Sequence, residues 1–295
     1  MTGAAPTFDR AFWLTTAGLR QWLPHLATAV AFVILFAQPA VLLADDWWNN
    51  PEAGHGLLLA PVAAWLVWRS RADVRRDPNR GLGILMLVGA VALRYVSGLA
   101  AEQFTMRLSM VLGAAGLVVF FLGFRQLLRF WLPASLVVLS IPLPEIVINT
   151  LALPLQFRAS EMGASLLAMR DVPIRLEGNV ISLPGHRLFV TEACSGLRSL
   201  TALVSLGILA GGLWLRYPVS RVFLLLGSIP VAVAINGVRV FITGFLVYFV
   251  NPELGEGFMH ITQGWLMFLV AFVILGLTAW LIASVEGWYD RVRAG

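Results

Sequence analysis

Thr191-Glu192-Ala193-Cys194-Ser195-Gly196-Leu197-Arg198-Ser199-Leu200 is where a polar segment gives way to an apolar run that continues to about Leu215. A helix needs about 20 mostly apolar residues to cross a bilayer. Runs of this kind recur on both sides of the stretch. Upstream they cover about Pro24–Ala44, His55–Trp68, Leu82–Ala100, Met106–Phe124 and Phe130–Leu143. Downstream they cover about Val222–Phe249 and His260–Val285. With the run that starts just after Cys194, eight spans are expected.

Composition agrees. Of 295 residues, 59% are hydrophobic and only 13% are charged, against about 25% charged in an ordinary soluble domain. The expected fold is therefore an all-α polytopic membrane protein, read as one domain over 1–295. The polar start, Met1 to Gln21, leads into a full-length apolar run, so no cleavable signal peptide is expected. The single cysteine excludes an intramolecular disulfide framework and a cysteine-cluster metal site; neither a cofactor nor a metal is expected. All 21 basic residues are arginine, which excludes a Ser-Lys dyad and Schiff-base chemistry.

The net charge of +5 does not point to nucleic acid, because the arginines sit in short loops between apolar runs. Arg-rich segments are the N-terminus, 69–80, 125–129, 216–221 and the C-terminus. Acidic or mixed ones alternate with them, including Asp45-Asp46-Trp47-Trp48 and the loop Asn251–Gly257. Arginine-rich loops stay in the cytoplasm, so both termini are expected there. Cys194 and His260 then fall at the outer face.

The longest non-spanning segment, about 145–191, is expected outside the cytoplasm. Its first half, around Leu151–Leu167, reads as an amphipathic helix lying on the membrane. Its second half reads as a small β-meander. Val172–Leu176 and Val180–Leu183 flank Glu177-Gly178-Asn179, and Pro184-Gly185 turns into Leu188–Val190.

A thiol becomes a useful nucleophile when a helix N-terminus or a nearby cation lowers its pKa. Cys194 stands at the first turn of the sixth span, and Arg198, four residues on, shares its helix face. The same free N–H groups could form an oxyanion hole. Arg239 lies inside the seventh span, which is expected to break at Pro230 and at Asn236-Gly237. An arginine inside a span is expensive and usually faces the bundle interior; a structural pairing with Glu192 or a backbone carbonyl is the bland account of it. Arg94, in the third span, meets the same argument with no motif around it. His260 opens the eighth span, and histidine is the usual base for cysteine because it titrates near neutral pH. A lone cysteine is often just a small buried hydrophobe; the convergence of the three on one face weighs against that.

The chain resembles the exosortase/archaeosortase family of membrane cysteine transpeptidases. The likeness is carried by Gly54-His55-Gly56-Leu57, Pro142-Leu143-Pro144, Glu192 to Leu200, Ile229-Pro230, Asn236 with Arg239, and His260 with Gly264-Trp265. The resemblance implies a cysteine protease or transpeptidase in the bacterial cytoplasmic (inner) membrane, acting at its outer face through an acyl-thioester on Cys194. Arg239 and His260 would complete the site, with Arg198, Glu192 and Asn236 supporting it. Implied partners are membrane lipid and exported proteins that end in a short motif, a hydrophobic helix and a basic tail. Two other classes stand beside this one. A transporter would need inverted halves and paired broken helices. A non-catalytic assembly factor for polysaccharide export would form no thioester.

Overall fold

The structure is a computed structural model and describes residues 16–50, 53–74, 76–190, 197–255 and 257–294; at 16–21, 73, 145, 197–198, 255 and 257–264 only the backbone is described. The chain is a helical bundle with one small sheet. In order come α1 (Thr16–Asn49), α2 (Gly56–Arg69), α3 (Arg80–Leu99), α4 (Gln103–Leu122), α5 (Phe124–Arg129), α6 (Trp131–Leu139) and α7 (Glu145–Ala168). Strands β1 (Arg175–Glu177), β2 (Val180–Leu183) and β3 (His186–Phe189) follow, then α8 (Leu197–Trp214), α9 (Pro218–Phe249) and α10 (Gly257–Ala294). Among the described residues, five helical stretches are long and apolar enough to cross a membrane: Trp22–Asn49, Arg80–Leu99, Gln103–Leu122, Pro218–Phe249 and Trp265–Ala294. Ser199–Trp214 is apolar but shorter.

Four expectations are corrected. The acidic, Trp-rich segment after the first span is not a loop; α1 continues through it to Asn49. The loop at 125–129 is helical: Gly123 at φ +99° turns the chain after α4, α5 takes up Arg125 and Arg129, and the fifth run keeps a single short helix, α6. The basic tail at Arg291 and Arg293 is the last turn of α10. Most consequentially, α9 runs unbroken through Pro230 and Asn236-Gly237. Gly237 does not break the helix; it makes room. A Cβ there would lie 2.8 Å from the Met162 Cβ of α7.

Small residues let helices approach closely where no water drives them together. They set most of the packing here. Gly83 of α3 meets the Phe120 backbone, and Gly113 of α4 meets Phe36 of α1. A second layer joins Leu59, Ala63 and Leu66 of α2 to Leu132 and Leu136 of α6. A third joins Leu203 and Ala210 of α8, Leu224 and Ala232 of α9, and Ala271, Leu275 and Ala279 of α10.

The helix expected to lie on the membrane packs against the bundle along one face. Ala152, Ala159, Gly163, Ala164 and Leu167 form a small-residue stripe on α7. Gly163 meets Val240, and Leu167 meets Gly244 of α9. The antiparallel sheet, in order β1-β2-β3, closes this core with Ile181, Leu183 and Val190. Its turns carry Gly178 and Gly185, both at positive φ, where glycine avoids the Cβ clash.

Candidate active site

The helices that carry the expected site residues are mutual neighbours, and close contacts fix their register. A Cβ on Gly211 of α8 would lie 3.7 Å from the Arg221 Cα of α9, and one on Gly207 would lie 3.8 Å from the Leu225 Cα and 3.7 Å from the Ser228 Cβ. The pair is antiparallel, so residue numbers facing one another keep a nearly constant sum. Carried to its start, α8 places Leu197 level with α9 between Ile235 and Val238. Arg239 therefore lies within about one turn of the α8 N-terminus. From the end of α9 it is ten residues away. Because α8 is short and α9 is long, the two are level.

A second contact sets α10. The buried Glu286 carboxylate accepts the N–H of Arg216 at 2.9 Å and of Tyr217 at 3.2 Å, across the α8–α9 turn. Arg239 is 22 residues beyond Tyr217, and 22 residues back from Glu286 is Gly264. His260 is four residues further on, about 6 Å along the axis at 1.5 Å per residue. The first turn of α8, the Asn236–Arg239 turn of α9 and the first turns of α10 thus share one end of a three-helix group.

The individual side chains divide as follows. Asn236 is buried and Arg239 is half-buried, three residues apart on α9. The Thr243 hydroxyl donates to the Arg239 carbonyl at 3.0 Å, an ordinary bond back along the helix. Cys194 and Glu192 lie outside the described residues, as do the side chains of Arg198 and His260, whose backbones stand in the first turns of α8 and α10. Arg94, the other intramembrane arginine named from sequence, donates from Nη2 to Gln38 Oε1 of α1 at 2.7 Å, so its partner is structural.

The partners of other polar residues were not legible in the sequence. Arg107 of α4, its side chain 4% exposed, pairs with Asp46 of α1 and donates to Gln103 Oε1 at 2.9 Å. Glu102 caps α4, accepting from Phe104 N at 3.0 Å and Thr105 N at 2.7 Å. Burial opposes its ionisation, but the Thr105 hydroxyl, the two N–H bonds and the Arg107 charge outweigh it and hold the carboxyl below its ordinary pKa. Trp47 Nε1 donates to Ser140 O at 2.7 Å, and His55 Nε2 bonds Leu139 O at 3.1 Å. The last carbonyls of α6 have no helical partner of their own, so two side chains from α1 and from the start of α2 close that end. A Cβ on Gly56 would collide with the Trp47 ring, which explains the glycine beside His55. Among the described residues no three His, Cys, Asp or Glu side chains gather to hold a metal ion.

Residues 47–277 match the family described as Transmembrane exosortase. No curated protein and no solved structure matches the chain.

Proposed function

Since the chain belongs to the transmembrane exosortase family, we propose that it is a membrane-embedded cysteine transpeptidase. Its substrates are exported proteins bearing a C-terminal sorting signal. Cys194 is the nucleophile. His260 takes the thiol proton, the thiolate attacks the scissile carbonyl, the amine leaves with that proton from His260, and the acyl group stays on sulfur as a thioester until an amine or water takes it. Arg239 stabilises the oxyanion, because a guanidinium gives hydrogen bonds and charge but does not surrender a proton. Asn236 holds the turn that carries it, while Arg198 and Glu192 bias the charge around the thiol.

The observation that supports this reading is the helix register. Arg239 is level with the start of α8, and Cys194 is only three residues before that start. Three residues of chain span at most about 10 Å. The continuous α9 also removes the broken helix that a transporter would need near the bilayer midplane.

The proposed topology counts eight crossings: α1, α2, α3, α4, the segment of α6, α8, α9 and α10. The arginine-rich ends and both termini are cytoplasmic; α7, the sheet and the site are at the outer face of the inner membrane. Co-expression with a tagged exported protein carrying such a signal tests the function. Cleavage is expected from the wild type and not from Cys194→Ala, Arg239→Ala or His260→Ala. Undiminished cleavage in Cys194→Ala overturns the mechanism.

A further inference from the structure

The sheet has a buried face and an open one. Leu176, Ile181 and Leu188 lie directly opposite one another across the three strands, and they pack into the core with Leu183. On the other face Arg175, Ser182 and Arg187 form a second row, one residue from each strand. Arg175 and Arg187 are exposed, and they flank Ser182 in a shallow pocket that Glu177, Leu183, Gly185 and His186 complete. Directly opposed residues stand about 4.5–5.5 Å apart, so the two arginines straddle a space the size of one anion. Arg175 Nε already holds Glu177 Oε1 at 2.8 Å, leaving the pocket with a surplus of about one positive charge.

The edge beside this row has its own chemistry. The β2–β3 turn has two residues, which makes Leu183 and His186 a hydrogen-bonded pair. Hydrogen-bonded and non-bonded pairs alternate along an antiparallel ladder. Val190 N donates to Asn179 O at 2.9 Å, which fits that phase. Arg187 and Phe189 are therefore the non-bonded positions, and their N–H and C=O groups point away from β2. Among the described residues no strand pairs with that edge. An edge of this kind is a template for another strand.

We propose that the free edge of β3 docks an extended peptide segment of the substrate as a fourth strand, and that the Arg175–Ser182–Arg187 row reads an acidic side chain on it. The edge selects a peptide over a lipid headgroup, because it offers both donors and acceptors at alternate residues. The net surplus of one charge selects a single carboxylate over a phosphate dianion. A peptide paired through Arg187 places the side chain opposite that residue on the open face, beside the row. In sequence, β3 and Val190 directly precede the segment that bears Cys194. The inference rests on the peptidase reading for the identity of the peptide as substrate, but binding itself requires no thiol.

The test uses the full-length protein in phosphatidylcholine nanodiscs and a fluorescent capped hexapeptide, Thr-Val-Glu-Val-Thr-Val, followed by anisotropy. Wild type and Cys194→Ala are expected to bind it about ten-fold or more tighter than its Glu-to-Gln version, the effect of one charge-assisted hydrogen bond. Arg187→Gln combined with Arg175→Gln is expected to erase that preference, while Arg187→Lys keeps part of it. N-methylating the peptide amides on one edge is expected to abolish binding. Equal affinity for the Glu and Gln peptides overturns the proposal, as does a preference that survives the double variant. So does binding that follows added phosphatidylglycerol instead of the peptide carboxylate. Glu-selective binding without cleavage in co-expression leaves the docking edge standing and rejects the peptidase reading alone.

Discussion

Gly163→Ala adds one methyl at the seam between α7 and α9. Its Cβ would lie 2.5 Å from Val240 Cγ1, 2.9 Å from Val240 Cβ and 3.2 Å from Phe241 N. Carbon atoms rest comfortably at about 3.5–4.0 Å. A β-branched side chain in a helix has essentially one rotamer, so Val240 cannot swing aside, and the third contact is backbone. α7 must therefore back away from the α9 turn that carries Arg239. Such overpacking costs about 1–3 kcal/mol, and the hard neighbours here put it in the upper half. Replacing a helical glycine by alanine returns about 1 kcal/mol. The expected net loss is about 1–2 kcal/mol. Gly276→Ala on α10 is the control, because nothing lies within 4 Å of its added methyl and only the helix-propensity gain remains. Thermal unfolding of the detergent-solubilised protein, followed by tryptophan fluorescence, reads both. A change of 1 kcal/mol shifts the midpoint by about 2–4 °C for chains near this size. Gly163→Ala should melt several degrees below wild type and Gly276→Ala at or slightly above it. Equal midpoints for the two variants would refute the close-packed seam.

Arg107→Ala should destabilise the protein by about 3 kcal/mol or more, because it strands a partly buried Asp46 carboxylate, whereas adding Asp46→Asn to it should recover part of the loss; chemical unfolding of the single and double variants measures this. Glu102 has a lowered folded pKa, so its contribution is complete above its ordinary value of 4.5 and fades as pH falls through the folded value. Glu102→Gln should therefore be less stable by about 1 kcal/mol at pH 7, and the gap should close on acidification; a gap that widens below pH 4.5 contradicts the cap. Trp47→Phe keeps an aromatic ring, though a smaller one, but leaves Ser140 O without its donor, and a loss of about 1–3 kcal/mol is expected in the same melt.

Hydropathy made the spanning helices legible because each presents a continuous apolar run and the arginines punctuate them. It failed where small residues carry the structure. On α7, Ala152, Ala159, Gly163 and Ala164 have too little apolar surface to signal burial, so the helix read as a surface element although that stripe is its packed face. Gly237 looked like a break for the same reason; its role is visible only when Met162 is placed against it. Arg107 sat just inside an apolar run, and its partner Asp46 is 61 residues earlier in what read as a loop. No local pattern links them. For the site, the residue types and the expectation of a common end could be read from charge and spacing. The depth of Arg239 could not, because it depends on α8 being shorter than α9 and on the contacts at Gly207, Gly211 and Glu286 that set their register.

The account turns on covalent chemistry at one sulfur. The direct measurement is mass spectrometry of the protein isolated by acid quench from cells making a substrate with a C-terminal sorting signal. The proposed mechanism predicts a peptide spanning Cys194 that carries the mass of the substrate's new C-terminus. Brief treatment with neutral hydroxylamine should remove it, as expected for a thioester, and Cys194→Ala should lack it. Substrate cleavage with no adduct on Cys194 in any quench, and with the Cys194→Ala protein still cleaving, would contradict the account.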